Sequence, residues 1–156
     1  MHSASQYGQI DVVRSFLDSG SDVDERNSAR LTALAVASKH GKLQVAKLLI
    51  ERGADVNSRN KAGWTPLHHA SKRGHFNIVR LLLDHNADLD ARQRSQRTAL
   101  DMASSFGHLT LAELLLKRGA NPNIRNSYGQ TPKQIALLGG HPRIAELLSR
   151  YGAHDS

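Results

Sequence analysis

The chain has 156 residues and no cysteine. Disulfides, thiolate metal sites and a cysteine nucleophile are therefore excluded. A cysteine-free composition suits an intracellular protein of the cytoplasm, the nucleus or both. Aromatics are scarce at 4%, so a core must be built from Leu, Ile, Val and Ala. No apolar run approaches the roughly 18 residues of a membrane span. The start, Met1-His2-Ser3-Ala4-Ser5-Gln6, lacks both a charged and an apolar leader region, so no signal peptide is expected. Carboxylates are the minority charge, with 14 acidic against 21 basic residues and a net charge of +7. That balance favours acidic partners and says nothing about fold. No glycine-rich phosphate loop, nucleophile elbow or paired-carboxylate motif occurs, and Ser104-Ser105 have no positioned His-Asp pair. No enzyme and no cofactor are expected.

What the chain does have is a period of 33. Thr32, Thr65, Thr98 and Thr131 keep that step, as do Ala4, Ala37, Ala70, Ala103 and Ala136, and Gly8, Gly41, Gly74, Gly107 and Gly140. The leucine pairs Leu48-Leu49, Leu81-Leu82, Leu114-Leu115 and Leu147-Leu148 follow it. With 39% apolar and 22% charged residues, such a chain buries a core. Each unit reads as two short helices and an extended loop. In one unit Thr65 is a good N-cap with Pro66 at the first helical position, and Gly74 ends that helix where a left-handed residue is needed. A second helix follows from about Phe76 to Asp84, with Ile78, Val79, Leu81, Leu82 and Leu83 forming its apolar face. The polar stretch "NADLDARQRSQ" then reads as a hairpin projecting to the next unit.

The stretch "GWTPLHHASKRGHFNIVRLLLDHNADLDAR" resembles an ankyrin repeat, through Thr65-Pro66-Leu67-His68, Gly74-His75 and Ala87-Asp88. The resemblance extends over nearly the whole chain. It implies an all-α solenoid of stacked helix-turn-helix pairs with short β-hairpin or loop fingers. The expected organisation is one domain, 1–156: a partial N-terminal capping repeat at 1–29, repeats at 30–62, 63–95 and 96–128, and a C-terminal capping repeat at 129–156. Two units have Thr32-Ala33 and Thr98-Ala99 in place of Thr-Pro, and Arg30 and Gln96 stand where Gly63 and Gly129 stand elsewhere. Asn86 replaces the helix-ending glycine found at 20, 53, 119 and 152, and asparagine is the next best left-handed residue. Pro122 takes the place of Val56 and Leu89. Counting back by 66 puts Met1-His2 on Leu67-His68, so the chain begins inside a first helix, as a module cut from a longer protein or a cap without its hairpin would. Arg143, Glu146, Ser149 and Arg150 suit a water-facing C-terminal cap.

Three histidines in "GWTPLHHASKRGH" raise the question of a metal site. His75 recurs as His108 and His141, and the resemblance implies that it satisfies backbone groups near the loop. His68 belongs to the Thr-Pro-Leu-His turn, as a partner for the threonine hydroxyl. His69 lies about 100° further round the helix, so the adjacent pair points apart rather than sharing a metal, whose helical ligands sit at i and i+3 or i+4. No metal is expected. Asn57, in "LIERGADVN", resembles the acceptor of asparaginyl hydroxylases acting on ankyrin repeats. It also has a structural reading within the hairpin.

The resemblance implies a concave partner-binding groove formed by the finger tips and the first-helix faces. Its columns can be read by register. The finger edge carries Arg26, Arg59, Arg92 and Arg125, beside Asn27, Asn60, Gln93 and Asn126, where the family usually has aspartate. The edge has kept its cations and lost its anions. The end of the first helix reads Gln6, Lys39, Lys72, Ser105 and Leu138, then Tyr7, His40, Arg73, Phe106 and Gly139. Candidate partner contacts are Arg59, Lys61, Trp64, Lys72, Arg73, Arg92, Arg94, Arg97, Phe106, Arg125 and Tyr128. Aromatics among arginines are a common hot-spot composition. The arginine column has an equal reading as ordinary solvated charge, and Trp64 has one as packing on a neighbouring finger. The expected function is a monomeric, non-catalytic interaction module for a protein partner with an acidic surface or peptide. Weak nucleic-acid binding by the basic edge, and a structural or engineered array with no native ligand, are the alternatives. No membrane partner is expected.

Overall fold

A computed structural model describes residues 1–154. Ten helices make five antiparallel pairs: α1 His2–Gln6 and α2 Ile10–Asp18, α3 Ala33–His40 and α4 Leu43–Glu51, α5 Pro66–Arg73 and α6 Phe76–Asp84, α7 Ala99–Phe106 and α8 Leu109–Lys117, α9 Pro132–Leu138 and α10 Pro142–Arg150. The odd-numbered helices pack side by side as one layer, and the even-numbered ones form a second layer behind them.

Local chemistry sets each boundary. Thr32, Thr65, Thr98 and Thr131 are N-caps, each hydroxyl accepting the amide of the residue three positions on. Gly41, Gly74 and Gly107 end α3, α5 and α7 in the left-handed region at φ 71°, 75° and 77°. These glycines meet a second demand. A Cβ on Gly74 would lie 2.8 Å from the His108 ring, and one on Gly107 would lie 2.6 Å from the His141 ring. The step from inner to outer helix is thus also the socket for the next repeat's histidine.

The core is aliphatic, as the scarcity of aromatics requires. Leu34, Leu67 and Leu100 are sealed inside the inner layer, and Leu49, Leu82, Leu115 and Leu148 inside the outer one. Ala37, Ala70, Ala103 and Ala136 are fully buried; their small side chains let neighbouring inner helices approach closely.

The fingers are loops closed by turns rather than β-hairpins, and no strand occurs among the described residues. Each closes on two backbone bonds, such as Asn60 N–H to the Trp64 carbonyl at 3.1 Å and Gly63 N–H to the Asn60 carbonyl at 3.0 Å. Between fingers the backbone bonds are single, from Arg94 N–H to the Ala62 carbonyl and from Ser127 N–H to the Ser95 carbonyl. One such bond between fingers is too little ladder for a strand. The side-chain oxygen of Asn60 completes the turn by accepting the Ala62 and Trp64 amides at 3.0 and 2.9 Å. Asn27 and Asn126 do the same. A neutral amide therefore does an aspartate's acceptor work here, and the finger edge carries no carboxylate at these positions.

Candidate functional site

The groove is bounded by the fingers on one side and by the carboxyl ends of α3, α5, α7 and α9 on the other. The arginine column forms its stitched edge. Arg26 donates to the Arg59 carbonyl, Arg59 to the Arg92 carbonyl at 2.8 Å, and Arg92 to the Arg125 carbonyl at 2.9 Å. Arg26, Arg59 and Arg125 also bond carbonyls of their own fingers, those of Arg30, Gly63 and Gly129. Arg94 bonds the Lys61 carbonyl at 2.8 Å. Four of the candidate contacts, Arg59, Arg92, Arg94 and Arg125, therefore have their guanidinium donors engaged in holding fingers in register, although all four residues are exposed. They still contribute positive potential to the groove edge.

Trp64 does not project from its finger. It is half-buried and folds back on α5, its ring 5.1 Å from that of His69 and 6.0 Å from that of His68. The Lys72 ammonium lies 5.5 Å from the Trp64 centroid and also 5.5 Å from the Phe106 centroid. One lysine thus bridges aromatics of two successive repeats. Arg73 and Lys61 are exposed. Arg97 is half-buried, with its Nε shielded and without a partner. Beyond Phe106 the groove turns apolar: Phe106, Tyr128 and Leu138 are 47%, 79% and 75% exposed, and Tyr128 and Leu138 face a cleft of about 290 Å³ with Arg97 and Ser105.

The histidines divide into three kinds. His75, His108 and His141 reach back with Nε2 to the carbonyls of Lys39, Lys72 and Ser105 at 3.2, 2.9 and 3.2 Å. A carbonyl only accepts, so each ring carries its proton on Nε2. His68 is sealed: Nδ1 accepts from the Thr65 amide at 3.1 Å, Nε2 donates to the Arg97 carbonyl at 3.0 Å, and burial lowers its pKa to about 4. His69 differs from both. Its Nε2 is shielded and has no hydrogen-bond partner. Its pKa is also lowered to about 4, first by burial and then by the positive charges of Lys39, His68, Lys72 and Arg73. Among the described residues no three histidine or acidic side chains converge as metal ligands would.

Asn57 is exposed and bound at the same time. Its side-chain oxygen accepts the Asp88 amide at 2.7 Å, a link that Asp24, Asp90 and Asn123 repeat to Asp55, Asn121 and His154. Three groove residues lie outside the sequence-derived set of contacts: Lys39, His69 and Leu138. His69 carried a usable signal. Its register column is apolar in the other full units, with Val36, Met102 and Ile135, and holds Ser3 in the first.

Stacked helix pairs with turn-closed fingers and a 33-residue step define the repeat-solenoid class. The family model for ankyrin repeats matches in three copies, over residues 1–93, 52–126 and 90–155, and the chain belongs to that family. No curated protein matches it. Ankyrin repeats are generally protein–protein interaction modules and typically non-enzymatic. No helix among the described residues is long and apolar enough to cross a membrane.

Proposed function

We propose that this chain is a non-catalytic module that holds an acidic segment of a protein partner along its concave groove. One observation carries the reading: Lys39, Lys72 and Arg73 line the groove wall, and none of them has a carboxylate partner among the described residues. Apolar contact surface at Phe106, Tyr128 and Leu138 continues the same wall. The stack is preorganised by its rungs, so little ordering cost opposes association, and unpaired cations speed the encounter with an acidic partner. The nucleic-acid reading finds less support, because the arginine edge that suggested it is bonded to backbone carbonyls. The module acts as an intracellular monomer in this reading.

The test is a binding titration with a fluorescent peptide that alternates glutamate and glycine, its glutamine counterpart, and a single-stranded oligonucleotide of equal length. The expected result is that the glutamate peptide binds about tenfold or more tightly than the glutamine one, with an association rate that falls as salt rises. Equal binding of the two peptides would refute the reading. Preferential oligonucleotide binding persisting at physiological salt would replace it with the nucleic-acid one.

A further inference from the structure

Between the second finger, closed at Asn60 and Trp64, and the ends of α3 and α5 lies a cleft of about 250 Å³ lined by Lys39, Trp64, His69, Lys72 and Arg73, with Asn60 at its finger side. Its composition is unusual for the array. His69 occupies a column that holds valine, methionine and isoleucine in the other full units and Ser3 in the partial first one. An imidazole there loses the packing of an aliphatic chain, leaves Nε2 without a partner and faces three cations. Apart from the ring contact with Trp64, the fold gives it no role among the described residues: His68 completes the N-cap and His75 ties the repeats together. Lys72 is held in place between Trp64 and Phe106 by two aromatic faces rather than by an acid. The cleft is therefore a walled concavity with an indole side, a ring of positive charge and an unpartnered imidazole, and no carboxylate lines it.

We infer that this cleft is a carboxylate pocket that receives one aspartate or glutamate side chain of the segment lying in the groove. The methylenes of that side chain pack on Trp64, and its charge offsets Lys39, Lys72 and Arg73 beside the His69 imidazole. The inference rests on the groove reading above and adds to it a single address for the recognised acid. Bound carboxylate favours the imidazolium, so occupancy raises the His69 pKa from its low value in the free protein. The charged and titratable groups acting on that ring are Lys39 on α3, and His68, Lys72 and Arg73 on α5, all of them cationic or neutral.

The experiment uses the full chain and the glutamate–glycine peptide. Lys72→Met keeps a long apolar stem between the two aromatic rings and removes the charge. Lys47→Met removes the same charge from the exposed outer surface of α4 and serves as the control. Lys72→Met is expected to weaken peptide binding about tenfold and Lys47→Met less than twofold. In His-selective NMR titrations, the resonances of His69 shift on peptide addition and its midpoint rises by a unit or more, while those of His108 stay. The variant His69→Met, which copies Met102 of the next repeat, folds and binds the glutamate peptide more weakly than the wild type, keeping the part of the glutamate preference that the three cations supply. Equal losses from Lys72→Met and Lys47→Met, or a His69 midpoint that does not move when peptide binds, overturn the pocket and leave the groove reading standing. A wild-type chain that binds both peptides alike removes the groove reading and the pocket with it.

Discussion

At the scale of single residues, one register column explains much of the chain's acid–base behaviour. Three residues away from the N-cap threonine stand Ala35, His68, Asp101 and Gln134. His68 and Gln134 close a capping box with neutral groups, whereas Asp101 closes it with a carboxylate. One Asp101 oxygen accepts the Thr98 amide at 2.9 Å, the other is shielded without a partner, and burial raises the pKa to about 6. An acid whose folded pKa is raised opposes folding once it ionises. Its penalty, about 2–3 kcal/mol for a shift of this size, is present above pH 6 and vanishes as pH falls toward 4. His68 has the opposite sign: its lowered pKa means that stability present above pH 6.5 is lost as pH falls toward 4. Asp101→His therefore exchanges a penalty at neutral pH for a sealed box like that of Thr65 and His68, with Nε2 directed to the Gln130 carbonyl as His68 is to Arg97. The expected gain is about 2 kcal/mol at pH 7.5, or roughly 4–8 °C in Tm for a chain of this size. It disappears at pH 5, where the new histidine is the weaker choice. Thermal melts at the two pH values check it, and a gain that is independent of pH would show that the carboxylate charge is not the cause. The roles of His68 and His75 were legible in the sequence, His75 because it recurs as His108 and His141 and His68 because it completes the Thr-Pro-Leu-His turn of the family resemblance. The strain of Asp101 was not, since it depends on how deeply the cap is sealed once the next finger lies across it.

The finger is the element that gave the largest difference between expectation and structure. Its register, its polar turn and the recurrence of its arginine were all readable. Its hydrogen bonding was not, because a guanidinium bonded to the carbonyl of a residue 33 positions on leaves no local trace in the chain. The same distance effect hid the packing of Trp64 against His69. The glycine at the finger tip, by contrast, is a strictly local matter. Gly63 and Gly129 have φ of 77° and 73°, and the residues at the same point of the other two fingers, Arg30 and Gln96, are held at φ 64° and 60°. Left-handed backbone costs a residue with a Cβ about 1 kcal/mol that glycine does not pay. Glycine's larger freedom in the unfolded chain offsets part of the difference. Gln96→Gly is accordingly expected to stabilise the fold by about 0.5–1 kcal/mol, read as a higher urea midpoint with unchanged slope. A lower midpoint would mean that the Gln96 side chain contributes more than its backbone costs. Asn86, also left-handed at φ 64°, has less to gain from the same change, because asparagine tolerates that region better than glutamine.

At the scale of the whole molecule, stability is a sum of repeats and of the interfaces between them, so it is uneven along the stack. The three middle pairs are enclosed on both sides. Their inner helices bury nearly every side chain from the cap to the last turn, and His75, His108 and His141 together with the arginine rungs tie each repeat to its neighbour. Among the described residues the first pair packs against one neighbouring pair, α3 and α4. Of α2 only Val13 is fully buried, while Val12 and Phe16 are exposed, and α1 spans just five residues with no side-chain cap. Tyr7 stands where later repeats have the groove residues His40, Arg73 and Phe106. Native-state hydrogen exchange should therefore show a gradient: amides of α1 and α2 open with a free energy well below the global value, and amides of α5, α6 and α7 exchange only with global unfolding. The groove cations lie on α3 and α5, beside and within the slow region, so peptide binding is expected to leave the protection of α1 and α2 almost unchanged and to raise that of α3, α5 and the second finger. Uniform protection along the chain would mean that the interfaces are strong enough to make the stack a single cooperative unit. Peptide-induced protection centred on α1 and α2 would move the binding surface to the N-terminal end, away from the cations that define it here.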